Sequence, residues 1–342
     1  MDVIRQQVFV TVDRALKLIQ RALAEGETRG VATSGTVVPA NEHSGGSAPD
    51  RRGQRRRCRR HHRRHVEQDA QIAAAITPRM STSTANTWSL DTMSNTSPTV
   101  VLVHGALTDA SVWHPVIARL QRGGHRVLAP AMAMRSLAAD AAYLHSVLAT
   151  IPGPIVLAGH SYGGSVISHP AAITPGVGAL VFVAAFQQDA GETAGELNYR
   201  FPGSRLTPDT TQLREYAGGS DLYLRPECFA DVYAGDLAAD QVAVMAAAQH
   251  PLDPAALSET FAGQATWRSL PSWALVSTSD RSIPTEALRF MAARAGSTVV
   301  ETDASHAVPL ANPDATADLI ADAARNMTTA HSTSRSTTPT PA

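Results

Sequence analysis

Short apolar runs recur through the second part of this 342-residue chain, and they constrain its fold more than any other feature. They read, in order, "TVVLVHG", "HRVLAP", "PIVLAGH", "ALVFVAA", "SWALVST" and "STVVET". Segments with the period of a helix lie between them, and these are Val112–Arg122, Leu137–Ile151, Ser165–Ile173 and Thr285–Ala295. Because near-continuous apolar strands alternate with helices, the sequence predicts an α/β domain with a mostly parallel sheet covered by helices on both faces.

One long connection interrupts this alternation. Residues 187–270 contain no continuous apolar run, although the stretch "LAADQVAVMAAAQ" has the character of a helix. A connection of this length inside a compact domain usually has a function of its own. The sequence therefore predicts a helical lid over residues 187–270 that covers one edge of the sheet.

The two ends of the chain differ in composition from the part between them. Residues 1–97 are polar and include the arginine-rich run "RRGQRRRCRRHHRRH", and residues 326–342 are rich in Ser and Thr. Such segments bury too little apolar surface to offset the entropy lost on ordering. We predict a mostly disordered basic leader over 1–97 with a short helix over 3–24, a folded domain over 98–325, and a disordered tail over 326–342.

Overall composition argues against several classes of protein. The formal net charge of −1 combines a basic leader with an acidic body. The arginine run of the leader has no interleaved aromatic residues and no fold around it, so we expect no specific nucleic-acid partner. Cys58 and Cys228 lie in segments of different kind and do not indicate a disulfide framework. No run approaches the roughly 18 apolar residues of a membrane span, and the first 24 residues lack the core of a signal peptide. These observations predict a cytoplasmic protein with no membrane association.

The stretch "GHSYGG" is the most specific motif in the chain. It places Ser161 between Gly159 and Gly163, where the run "PIVLA" ends and a helix-like pattern begins. A serine at such a strand-to-helix turn is typical of a nucleophile elbow, in which a strained turn presents the hydroxyl above the sheet. The motif predicts that Ser161 is a catalytic nucleophile.

A serine nucleophile needs a base to accept its proton and a carboxylate to orient that base. Asp280 and His306 follow Ser161 in the chain, and each comes directly after a predicted strand. Because parallel strands end at one edge of a sheet, we predict that these three residues form a triad. Four other residues have positions relative to the predicted strands that fit a triad less well. They are Asp189 and Asp303 as the acid, and His169 and His250 as the base.

The oxyanion that forms during acyl transfer needs backbone N–H donors. One is predicted to be the amide of Tyr162, which follows the nucleophile, and the other the amide of Ala106 in the first loop. Gly105 allows this loop to approach the nucleophile. His104, just after the first strand, is expected to make structural hydrogen bonds.

Three further residues follow motifs that reach the active edge, and we expect them to line the substrate pocket. They are Trp113, Phe186 and Val308.

Four stretches together resemble the small esterase-like α/β-hydrolases that are related to plant methylesterases and hydroxynitrile lyases. They are "VLVHGALTDASVWHPVIARLQRGGHRVLAP", "GHSYGG", "STSDRSIP" and "ASHAVPLANPDA", and the similarity spans residues 98–325. The resemblance implies an α/β-hydrolase fold. It also matches the catalytic and oxyanion residues named above to the corresponding positions of that family.

The same resemblance separates hydrolases from lyases. The lyases carry Lys after the catalytic histidine, Cys after the serine and Thr in the first loop, where this chain has Ala307, Tyr162 and Gly105. We therefore expect a cofactor-independent serine esterase that cleaves small-molecule carboxylic esters through an acyl-enzyme. Two alternatives stay open, a lactone hydrolase with the same triad and a non-catalytic receptor that keeps the fold to bind a ligand.

Overall fold

The computed structural model describes residues 97–335, and within the last helix it describes side chains as far as Met327. Its centre is a parallel sheet with the strand order β2-β1-β3-β4-β7-β8, and β5 and β6 form a separate antiparallel hairpin. The strands are β1 Thr99–Val103, β2 Arg126–Leu128, β3 Ile155–His160, β4 Val177–Val183, β5 Thr211–Tyr216, β6 Gly219–Leu224, β7 Ser272–Ser277 and β8 Thr298–Thr302. Each predicted apolar run overlaps one strand of the parallel sheet.

Helices cover both faces of this sheet. They are α1 His114–Arg122, α2 Leu137–Leu148, α3 Tyr162–Ser168, α4 Ala194–Tyr199, α5 Phe229–Val232, α6 Ala239–Ala247, α7 Ala255–Ser258, α8 Thr285–Ala295, α9 Val308–Ala311 and α10 Pro313–Arg335. One core cluster packs α1, α8 and α10 against the sheet, and a second packs α2 and α3 against its other face. The predicted α/β-hydrolase architecture is confirmed.

The helix after β3 starts earlier and ends earlier than the predicted Ser165–Ile173. It begins at Tyr162, directly after Ser161, and ends at Ser168 before a short 3₁₀ turn at Pro170–Ala172. His169 has extended backbone angles, φ −76° and ψ 128°. Because a proline disfavours the helical conformation in the residue that precedes it, Pro170 explains this early end.

The lid is not purely helical, which corrects the prediction for residues 187–270. It contains α4 to α7 together with the hairpin of β5 and β6, which turns at residues 217–218 with Gly218 at φ 103°. Most residues of these two strands are only partly buried, and Leu213 keeps 55% of its surface exposed. A half-exposed hairpin mixes polar and apolar residues, so it lacks the continuous apolar run that marks the buried strands.

The C-terminal boundary also differs from the prediction. Helix α10 continues to Arg335, past the predicted end of the domain at residue 325. Ala323, Ala324 and Met327 are buried, so the apolar face of this helix extends beyond that boundary. The predicted leader over 1–97, with its helix over 3–24, lies almost wholly outside the described residues, as do 336–342.

Among residues 97–335, no helix is long and apolar enough to cross a membrane.

Candidate active site

Three strands of the parallel sheet deliver the predicted triad to one edge. Ser161 follows β3, Asp280 lies three residues beyond β7, and His306 lies in the loop after β8. Because β3, β4, β7 and β8 are consecutive parallel neighbours, their carboxyl ends point in the same direction. The three residues meet there although they are far apart in sequence.

The turn at Ser161 has the strained backbone expected of an elbow. Its φ is 55° and its ψ is −125°, a combination that side-chain-bearing residues rarely adopt. Glycines at two neighbouring sites make the turn sterically feasible. A Cβ on Gly163 would lie 2.5 Å from the carbonyl oxygen of Val103, and one on Gly105 would lie 2.5 Å from Cβ of Ser161.

The three side chains form one chain of hydrogen bonds. Oγ of Ser161 lies 2.8 Å from Nε2 of His306, and Nδ1 of His306 lies 2.6 Å from Oδ2 of Asp280. Because an ionised carboxylate can only accept, Nδ1 carries the proton and Nε2 is free to accept one from the serine. The geometry is that of a nucleophile, a base and an orienting acid.

The predicted acid and the predicted base are held in place by contacts of their own. Oδ1 of Asp280 accepts hydrogen bonds from the amides of Ser282 at 2.8 Å and Ile283 at 2.9 Å, which fixes the carboxylate. The backbone carbonyl of His306 accepts a hydrogen bond from Nε2 of His160 at 2.9 Å. Burial holds the pKa of the His160 imidazole well below its usual range, and the nearby His306 lowers it further. His160 is therefore neutral and supports the loop that carries the base.

The predicted oxyanion donors lie next to the nucleophile. Ala106, Tyr162, Ser161 and His306 all line the same cavity. Tyr162 opens α3, and the first amides of a helix have no partner within that helix, so its N–H is available to a ligand. The phenol of Tyr162 is anchored behind the elbow by a 3.0 Å hydrogen bond to Oδ2 of the buried Asp140.

His104 has a structural role, as expected. Its Nε2 accepts a hydrogen bond from the amide of Met132 at 3.0 Å, so its Nδ1 carries the proton and donates to the carbonyl of Gly105, also at 3.0 Å. Burial lowers the pKa of this imidazole, which keeps it neutral. These two bonds shape the loop that leads to the Ala106 amide.

The alternative acids and bases have other contacts. Asp189 forms an ion pair with Arg268, and Asp303 accepts a hydrogen bond from the hydroxyl of Ser279 at 2.6 Å. The other two are histidines: His169 accepts from the amide of Ala171, and His250 packs edge-on against His104. In the described chain, the hydrogen bonds to Ser161 and His306 thus favour the triad over these alternatives.

A cavity opens onto the triad. Phe186 lines it, as the sequence suggested, but Trp113 and Val308 do not. Both are 0% exposed and belong to the core cluster on one face of the sheet, where Trp113 packs against the ring of His160. They follow motifs that reach the active edge, yet their side chains turn inward.

Most of the cavity lining comes from residues that sequence reasoning did not identify. They belong largely to the lid, and they include Asn198, Tyr199, Leu206, Leu222, Leu252 and Leu257. None of them stands in a recognisable motif, so the only sequence signal was the length of the connection that carries them.

Within residues 97–335, no cluster of His, Cys, Asp and Glu side chains is placed to hold a metal ion.

Fold and site together define an α/β-hydrolase. The sequence model described as "Alpha/beta hydrolase family" matches residues 100–319, and this chain belongs to that family. Its assignment to the hydrolases is thereby confirmed.

Known proteins that are similar to this chain are named as esterases or hydrolases. The rice protein "Esterase PIR7B" (Oryza sativa subsp. japonica) is 29% identical over 251 residues, which are 64% of this chain and 93% of the rice protein. Polyneuridine aldehyde esterase has a TM-score of 0.59 at 20% identity, over 66% of this chain and 98% of the other. A pyrethroid hydrolase from Sphingobium faniae JZ-2 has a TM-score of 0.55 at 24% identity, over 67% of this chain and 97% of the other.

Proposed function

We propose that this protein hydrolyses small-molecule carboxylic esters through an acyl-enzyme on Ser161. The observation that carries the proposal is the hydrogen-bonded chain from Asp280 through His306 to Ser161 at the floor of an apolar cavity. The names of the similar proteins, which include an esterase of rice, support the same reaction class.

The first half-reaction transfers the acyl group to the enzyme. Oγ of Ser161 attacks the ester carbonyl carbon while its proton passes to Nε2 of His306. The tetrahedral intermediate collapses, the bond between the acyl carbon and the alcohol oxygen breaks, and His306 donates the proton to the leaving alcohol. A lactone would follow the same steps, with its alcohol still attached to the acyl group.

The second half-reaction returns the enzyme to its starting state. Water loses a proton to His306 and attacks the acyl carbon, and the carboxylic acid leaves as Ser161 regains its proton. Asp280 keeps the imidazole in the required tautomer and stabilises the imidazolium in both halves. The amides of Ala106 and Tyr162 are the proposed donors to the oxyanion, where removal of one donor costs on the order of 10²- to 10³-fold in kcat.

The experiment compares the full chain with Ser161→Ala in hydrolysis of p-nitrophenyl acetate and butyrate. The substitution should lower kcat by on the order of 10⁴- to 10⁶-fold, since it removes the nucleophile. Ser168→Ala is the matched control, because Ser168 is a buried serine of the adjoining helix whose hydroxyl has no partner among the described residues. Retention of full activity by Ser161→Ala, or no turnover by the unmodified protein, would contradict the proposal.

A further inference from the structure

Helix α4 presents one face to the cavity above the triad. Ala194, Gly195, Asn198 and Tyr199 line the cavity, and the spacings of three and four residues among them place them on one side of the helix. A capping box between Thr193 and the following turn fixes where this helix begins. The face is thus held in a defined position relative to the nucleophile.

Asn198 is the amide side chain on this face. The residue is only 4% exposed, and its Nδ2 donates a 2.9 Å hydrogen bond to Oγ of Ser204. Its Oδ1 is buried and has no hydrogen-bond partner within the described part of the chain. A buried carbonyl without a partner is unfavourable, and such groups in folded proteins are rare.

The surrounding hydrogen bonds determine which end of the amide is unpaired. Ser204 has a single hydroxyl proton, which it donates to the carbonyl of Ser282 at 2.8 Å, and Oγ also accepts from the amide of Leu206 at 3.2 Å. The group of Asn198 that faces Ser204 must therefore be its NH₂ end. The unpaired end is therefore the acceptor Oδ1.

Apolar side chains from several elements form much of the remaining cavity wall. Leu222, Leu252, Leu257 and Ile283 supply it from β6, the rest of the lid and the loop after β7. An apolar pocket with a few placed polar groups is the usual design of a small-molecule site, in which the polar groups select the ligand.

We infer that Asn198 is a specificity-determining residue whose Oδ1 accepts a hydrogen bond from the substrate. The preferred substrates are then esters whose apolar body carries a hydroxyl or N–H group. This inference rests on the proposed ester hydrolysis. A site built to accept a hydrogen bond discriminates strongly against an analogue that lacks the donor, since its own polar group is then left buried and unpaired.

The test uses methyl phenylacetate and its three ring-hydroxylated isomers as matched probes. With the full chain, at least one hydroxylated isomer should exceed the unsubstituted ester in kcat/KM by about 10-fold or more. In Asn198→Leu this ratio should fall to near one. Ser204→Ala frees the amide to rotate, and it should lower the ratio without abolishing turnover.

The dissociation constants of the same four esters on Ser161→Ala separate this inference from the proposed function. That variant should bind one hydroxylated isomer at least about 10-fold more tightly than the unsubstituted ester, and Asn198→Leu in the same background should remove the difference. Equal binding of all four esters, or a preference that survives Asn198→Leu, would overturn the inference. Absence of turnover with preferential binding would overturn only the proposed ester hydrolysis.

Discussion

The catalytic floor and the lid differ in burial and in secondary structure. We define the catalytic floor as residues 104–106 and 160–162 with Asp280 and His306. Strands β1 and β3, which lead into it, are buried along their whole length. The lid, residues 187–270, consists of short helices and a hairpin with many exposed positions, and Tyr199 and Val244 are 61% and 68% exposed.

This difference suggests that the floor determines the rate of reaction and that the lid determines which substrate binds. The residues of the floor follow strands that end at the same edge of the sheet. The distances between their side chains therefore depend mainly on the register of these strands and less on the conformation of any single loop. The lid contributes most of the cavity wall through side chains that the register of the parallel sheet does not fix. Substitutions in the floor should therefore change the rate of reaction, whereas substitutions in the lid should change which substrate reacts.

A matched pair of glycine substitutions tests this separation with the largest expected effect. In Gly105→Ala, the new Cβ would lie 2.5 Å from Cβ of Ser161 and 3.1 Å from its Oγ, so the oxyanion loop or the nucleophile must move. We expect kcat for p-nitrophenyl acetate to fall by about 10²- to 10³-fold, the effect of a lost oxyanion donor. In Gly235→Ala, in the lid, the nearest atom is 3.4 Å away, and kcat should stay within about two-fold.

Equal losses in the two variants would show that floor and lid do not differ in the way proposed. Circular dichroism and the midpoint of thermal unfolding serve as the control, because they separate a displaced nucleophile from a poorly folded chain.

A smaller effect is expected in the pH dependence of stability. His160 of the floor is fully buried, and burial holds the pKa of its imidazole well below its usual range. Unfolded chains bind a proton near pH 6.5 where the native His160 does not, so acid favours the unfolded state. This contribution to stability is complete above that pH and is lost as the pH falls toward the depressed native pKa, by up to about 1.4 kcal/mol per pH unit.

Urea unfolding of the full chain between pH 7.5 and 5 measures this term. His160→Asn should lose less stability on acidification than the unmodified protein, because it has no proton to take up at that site. The exposed His114 provides the control, and His114→Asn should follow the unmodified protein. A slope that His160→Asn leaves unchanged would contradict a neutral, buried imidazole at this position.

Local signals in the sequence indicate where the residues of the floor lie in the fold. Continuous apolar runs indicate buried strands, and the glycines around Ser161 indicate the tight strand-to-helix turn of a nucleophile elbow. Asp280 and His306 could be placed because each directly follows such a run. Their assignment as a triad is a prediction that the observed distances support.

The lid was less predictable because its structure depends on long-range packing. Strands β5 and β6 are half exposed, so their residues alternate without a continuous apolar signal. Asn198 acquires its importance from Ser204 and from the cavity, neither of which its local sequence indicates. Trp113 and Val308 lie next to recognisable motifs in the sequence, yet their side chains face the core and not the cavity.

Covalent labelling tests the central claim most directly. A fluorophosphonate reacts with a serine that an adjacent base activates, and it reports the nucleophile without a choice of substrate. Intact mass and peptide mapping of the full chain should show one adduct, located on Ser161 and lost in Ser161→Ala. His306→Ala should label far more slowly. An adduct on another residue, or no adduct on the unmodified protein, would contradict Ser161 as the activated nucleophile.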